Sequence, residues 1–123
     1  MQTHESAEDY LERILMLKEQ GEEEIHAVDL ALSLGFSKPS VSIALKKLIS
    51  QNLVYLGPKQ DIHLTDEGLA IASKIFERHK IISSLLISWG VDKDVALADA
   101  CKIEHDLSDE TFEAIKNHYL NIK

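Results

Sequence analysis

Apolar residues recur along the chain with a period that changes twice. From about Ser6 to Gln20, Tyr10, Ile14 and Leu17 fall at i, i+4 and i+7, with Leu11 and Leu15 widening the stripe. This spacing predicts an amphipathic helix, and Gly21 is its natural stop. After Glu22-Glu23-Glu24, a second stretch places Ala27, Leu30, Ala31 and Leu34 on one face. Gly35-Phe36-Ser37 interrupts it, and a third run follows at once with Val41, Leu45, Leu48 and Ile49 on its inner face. Ser37 is placed to cap that run, and Pro39 sits in its first turn, where a missing N–H costs little. Two short helices joined by a three-residue turn containing glycine read as a helix-turn-helix.

The period then shortens. Leu53-Val54-Tyr55-Leu56 and Ile62-His63-Leu64 are β-favouring runs separated by Gly57-Pro58-Lys59-Gln60-Asp61, which predicts a small hairpin, or wing. Thr65 caps a new helix opened by Asp66 and Glu67, whose stripe of Leu69, Ala72, Phe76, His79, Ile82 and Leu86 runs to a stop at Gly90. Two more helices are expected, about Lys93 to His105 and Ser108 to Tyr119. The expected fold is mainly α: a winged helix-turn-helix over 1–64, then an all-helical domain over 65–123. The apolar faces carrying Trp89, Leu107, Phe112 and Ile115 exceed what a small winged helix needs for its own core, and dimerisation is their simplest use.

Charge sharpens this picture. The 123 residues hold 13 Lys+Arg and 21 Asp+Glu, a net charge of −8, which taken whole opposes nucleic acid. Yet no acid lies between Asp29 and Asp61, while Lys38, Lys46, Lys47 and Lys59 all fall there, so the remainder carries −12. The basic window coincides with the second helix of the helix-turn-helix and the wing. Lysines there can meet DNA phosphates while Ser37, Lys38, Pro39, Ser40 and Ser42 offer small polar groups and methylenes to base edges. Cys101 is the only cysteine, which excludes an intramolecular disulfide. The acidic start, Met1 to Asp9, lacks the pattern of a signal peptide, and Ile81 to Trp89 is too short to span a bilayer. A cytoplasmic protein without membrane contact is expected.

A second chemistry is scattered along the helices. Asp9 and Glu12 lie three apart on the first helix, Cys101, Glu104 and His105 fall at i, i+3 and i+4 on the penultimate one, and His79 interrupts an apolar stripe. Six such groups could hold one or two divalent ions, carboxylates supplying hard donors and imidazole and thiolate softer ones. Each group also has an ordinary reading, as a solvated acid, a core histidine or a buried thiol. Spacing alone does not bring three helices together.

The blocks Ser6-Ala7-Glu8-Asp9-Tyr10-Leu11-Glu12, Ser40-Val41-Ser42, Leu45-Lys46-Lys47-Leu48, Leu64-Thr65-Asp66-Glu67-Gly68, Arg78-His79 and Ala100-Cys101-Lys102-Ile103-Glu104-His105 occur in order across nearly the whole chain. Together they resemble the diphtheria toxin repressor and manganese transport regulator family. The resemblance implies a cytoplasmic, homodimeric repressor that binds a palindromic operator in double-stranded DNA, with Mn²⁺ or Fe²⁺ as co-repressor and no organic cofactor. It assigns Asp9, Glu12, His79, Cys101, Glu104 and His105 to the metal site, holding one or two ions per subunit. Asp9 and Glu12 match the manganese-type members, which have glutamate in place of Cys101, whereas Cys101 matches the iron-type members, which have methionine in place of Asp9. The ancillary iron-type ligands correspond here to Ser83 and Leu97, and the SH3-like third domain of many iron-type members is expected to be absent. Two other functions compete: a winged-helix regulator answering an organic ligand, and a small di-metal carboxylate enzyme, whose helix bundle would have no place for the wing.

Overall fold

The structure is a computed structural model that describes residues 7–122. Its elements run α1 (Ala7–Glu19), α2 (Ala27–Leu34), α3 (Lys38–Ser50), β1 (Val54–Leu56), β2 (Ile62–Leu64), α4 (Asp66–Ser88), α5 (Lys93–Ile103) and α6 (Asp109–Ile122). Ser6, the expected start of the first helix, lies outside the described residues. Two compact units divide the chain, the first ending at Ser73 and the second beginning at Lys74, so α4 contributes to both. The architecture is mainly helical, with one two-stranded sheet among the described residues. No single helix among them is long and apolar enough to cross a membrane.

The first unit is a winged helix-turn-helix. Tyr10, Leu11, Ile14 and Leu17 of α1, Leu30 and Ala31 of α2, and Val41, Leu45 and Leu48 of α3 meet in one core with Val54, Ile62 and Ala72. Burying one such aliphatic side chain contributes about 1.5–3 kcal/mol relative to leaving it in water. Gly35 ends α2 with φ 74°, a left-handed conformation that lets its N–H and that of Phe36 both reach the Ala31 carbonyl. Ser37 then caps α3 by accepting from the Ser40 N–H, and Pro39 stands in the first turn. The three-residue turn thus stops one helix and starts the next. At the other end of α3, Asn52 takes φ 61° and the Leu53 N–H returns to the Leu48 carbonyl, a Schellman closure.

The wing pairs β1 and β2 antiparallel, Val54 opposite Leu64, Tyr55 opposite His63 and Leu56 opposite Ile62. Its inner face buries Val54 and Ile62 and half-buries Leu64, while Leu56, which alternation places on the same face, is 39% exposed. The Ile62 N–H also donates to the Ile25 carbonyl at 2.7 Å, which fastens the hairpin to the segment leading into α2. The start of α4 is locked to the end of α3. Thr65 accepts from the Gly68 N–H through its hydroxyl oxygen, and that hydroxyl donates to the carbonyls of Asn52 at 2.8 Å and Leu53 at 3.1 Å. A Cβ on Gly68 would stand 2.0 Å from the Leu53 carbonyl oxygen, so only glycine permits this approach.

In the second unit Ile75, Ile82, Leu85, Ala96, Ala100 and Phe112 are buried. Asp92 caps α5 by accepting from Asp94 N–H, and Ser108 caps α6 by accepting from Thr111 N–H. Of the four apolar residues expected to serve dimerisation, Phe112 is buried beneath the Arg78 guanidinium, whereas Trp89 is 64% exposed. The penultimate helix ends at Ile103, two residues before the expected His105, because Arg78 takes the carbonyls of Glu104 at 2.9 Å and Leu107 at 2.8 Å and turns the chain out of the helix.

Two expectations follow for stability. Gly68→Ala should destabilise the first unit by about 3 kcal/mol, the upper range for overpacking, because the obstacle is main chain and cannot rotate away. Thermal unfolding by circular dichroism should show the midpoint falling by about 10 °C. Asp109 is held below its ordinary carboxylate value of 3.8, mainly by its hydrogen bond to Lys74, with further attraction from Lys74 and Arg78. A depressed folded value means that this stabilisation is full above pH 3.8 and lost as pH falls through the folded value. Urea melts across acid pH should therefore show the wild-type advantage over Asp109→Asn at neutral pH and its disappearance in acid.

Candidate functional site

In the first unit the exposed side of α3 carries lysines and no acid. Lys38 and Pro39 open α3 on its exposed side, Ser42, Lys46 and Lys47 are exposed further along, and Ser40 is half-buried. Val41, Leu45 and Leu48 point the other way into the core, which fixes the outward direction of the rest. Ser37 is engaged locally: besides capping, its hydroxyl donates to Ser40 Oγ at 3.0 Å. Lys59 stands in the wing turn with its side chain 77% exposed and its ammonium 4.0 Å from Glu24.

Two histidines that spacing did not single out hold the wing in place. His26, just before α2, meets the Lys59 carbonyl through Nε2 at 3.1 Å. His63 stacks on Tyr55 with ring centroids 5.1 Å apart. Lys18 lies 3.5 Å from His63 Nδ1, and with that ammonium as donor the ring proton resides on Nε2 and is given to Asp61. That bond is the main reason the Asp61 carboxyl sits below its usual range. The one carboxylate of the wing turn is thus engaged within the hairpin. A histidine two residues after an aspartate in a strand was the only sequence signal, and it is a weak one.

In the second unit, three of the expected ligands converge. Glu104 is 0% exposed. One oxygen of its carboxylate lies 3.0 Å from His79 Nδ1 on α4, and the other lies 3.4 Å from His105 Nε2. Cys101 is on the last turn of α5, half-buried, three residues before Glu104. Glu104 keeps helical dihedrals as the residue closing α5, so the expected i, i+3 relation to Cys101 survives although His105 is already in the turn. Asp9 and Glu12 share a face of α1 in the first unit, where Glu12 is buried and Asp9 half-buried.

A wholly buried carboxylate is costly unless a positive charge or several donors balance it. Two imidazoles on either side of Glu104 form a mixed nitrogen and oxygen donor set of the kind that suits first-row divalent metals, and a cation there would meet the need for positive charge. The residues present therefore fit such an ion. Arg78 organises this cluster without entering it. Only 4% exposed, it donates to the Glu104 and Leu107 main-chain carbonyls and pairs with Asp109 at 2.6 Å. Its place next to His79 in the sequence was visible, but nothing in the spacing pointed to the turn it would hold.

Known proteins share both units. A family model described as the N-terminal DNA binding domain of iron dependent repressors matches residues 2–62. A second, described as their metal binding and dimerisation domain, matches residues 65–123. The transcriptional regulator MntR of Escherichia coli O157:H7 is 37% identical over 113 residues, covering 91% of this chain and 72% of that protein. The diphtheria toxin repressor of Corynebacterium efficiens is 32% identical over 107 residues, covering 86% of this chain and 46% of that one. Among solved structures, a manganese-dependent transcriptional repressor in complex with manganese superposes with a TM-score of 0.85 at 29% identity over 93% of this chain. This chain spans about half the length of that one, 52%. With both of its halves matched in order, the chain belongs to the iron-dependent repressor family, the family of the diphtheria toxin repressor and MntR.

Proposed function

We propose that this protein is a cytoplasmic, homodimeric, metal-dependent repressor of metal-ion homeostasis that binds a palindromic operator, with Mn²⁺ or Fe²⁺ as co-repressor, and that it is not an enzyme. One observation carries the reading. A fully buried carboxylate, Glu104, is flanked by two imidazoles in the segment matched to a metal-binding domain, and the same chain carries a winged helix with a basic outer face.

In this proposal Asp9, Glu12, His79, Cys101, Glu104 and His105 form one ligand set, and the DNA-contacting residues are Ser37, Lys38, Pro39, Ser40, Ser42, Lys46, Lys47 and Lys59. A bound divalent cation supplies positive charge to three carboxylates that otherwise repel one another. The remaining work belongs to the chain's own residues. Glu104 orients His79 and His105 through its two oxygens, and Arg78 fixes the turn on which Glu104 and His105 stand. Asp9 and Glu12 belong to the helix that forms one wall of the winged-helix core, so a ligand set that includes them couples metal occupancy to the placement of α3. Coupling of about 1–3 kcal/mol is typical of such linkage and changes operator affinity by one to two orders of magnitude. Lys46, Lys47 and Lys59 meet phosphates, and the start of α3 faces base edges.

The test is fluorescence anisotropy of a duplex enriched from a random library, titrated anaerobically in chelator, Mn²⁺ and Fe²⁺. Binding confined to one or both metals is expected, and tight binding in chelator overturns the proposal. Glu104→Ala should abolish the metal stimulation while sedimentation shows an unchanged dimer. Lys46→Ala and Lys47→Ala should each weaken binding to every duplex and lower the slope of log affinity against log salt by about one.

A further inference from the structure

The outward face of α3 carries a strongly exposed apolar residue that neither the basic-patch reading nor the ligand set uses. Ile43, in the second turn, is 70% exposed. Residues three and four apart share a helix face, so its neighbours are Pro39, Ser40, Lys46 and Lys47, and it stands at the centre of the group. Val41, Leu45 and Leu48 fill the core from the opposite side, which leaves Ile43 no route inward. Leu32 is more exposed still, at 79%, but α2 carries no lysine and nothing around it names a partner. Around Ile43 the surroundings do name one. Two lysines, the capped N-terminus of a helix and an acid-free stretch from residue 30 to residue 60 specify a polyanion that approaches this face.

Resting on the DNA-binding reading above, we propose that Ile43 reads thymine, packing its branched side chain against the C5-methyl group in the major groove. The chemistry of the groove leaves little else for it to meet. Every other major-groove edge presents hydrogen-bond donors or acceptors, which an isoleucine cannot answer, and thymine alone offers a methyl. A β-branched side chain in a helix holds essentially one χ1 rotamer, so ordering Ile43 on the duplex costs little entropy. Lys46 and Lys47, one turn further along α3, hold the phosphate backbone and set the depth at which Ile43 enters the groove. Ile43 is thus a specificity-determining residue, while Lys46 and Lys47 supply affinity for any sequence.

The experiment removes one methyl at a time. A random duplex library is enriched anaerobically with the full chain in Mn²⁺ and in Fe²⁺, and each thymine of the enriched half-site is replaced singly by deoxyuridine. Affinities are then measured for the wild type, Ile43→Ala and Ile43→Val, with an unrelated duplex as control. For the wild type, deoxyuridine at one thymine per half-site should weaken binding about fourfold, the value of one buried methyl. That loss should vanish in Ile43→Ala and persist in Ile43→Val, with binding to the unrelated duplex equal in all three. Equal deoxyuridine losses in wild type and Ile43→Ala at every position overturn the proposal. A library that yields no enriched duplex in either Mn²⁺ or Fe²⁺ overturns the repressor reading and this contact with it.

Discussion

The Arg78 guanidinium decides the geometry of the second unit. It is buried, and it holds three groups from one turn: the Glu104 carbonyl, the Leu107 carbonyl and the Asp109 carboxylate. An arginine fork is planar and rigid, so three partners on one fork fix the path of the chain between α5 and α6. The Phe112 ring, 5.2 Å beneath the guanidinium, closes the remaining side. Without that anchor the segment from Glu104 to Leu107 would lose its tie to α4, and the Glu104 carboxylate its fixed position between His79 and His105. The interaction is structural in kind, and the position of the segment carrying Glu104 and His105 depends on it.

The first unit solves a different problem. Its chain is acidic overall, and a helix that meets a polyanion must escape that average. Two devices achieve it. The four lysines between Asp29 and Asp61 lie on α3 or just beside it in the wing turn. The wing's own carboxylate, Asp61, is engaged by His63, which is in turn stacked on Tyr55 and approached by Lys18. Core and surface are also linked through α4, whose first turn is pinned to the end of α3 by Thr65 and by the close approach at Gly68.

Helix periods, caps and stops were legible because they are local: the α2–α3 turn at Gly35-Phe36-Ser37 and the Thr65 cap follow from the conformations those side chains permit. The wing was legible from its shift to short β-favouring runs around Gly57-Pro58. The end of α5 was not, since its termination at Ile103 comes from Arg78, 25 residues earlier than Ile103, and a long-range hydrogen bond leaves no mark in local propensity. The role of His26 was hidden for the same reason, its partner being a main-chain carbonyl 33 residues away.

By itself, then, the sequence determined the order of elements, the placement of positive charge and most of the inward faces of the helices, although Ile49 and Leu69, expected on those faces, are 40% and 43% exposed. These are properties of side chains and of their spacing at 3.6 or 2 residues per repeat. The tertiary structure alone decided that His79 and His105 meet the two oxygens of one buried glutamate, that Phe112 serves the core of its own unit while Trp89 stays exposed, and that Ile43 stands uncovered among lysines. Burial and convergence depend on residues far apart in the chain, and only packing brings them together.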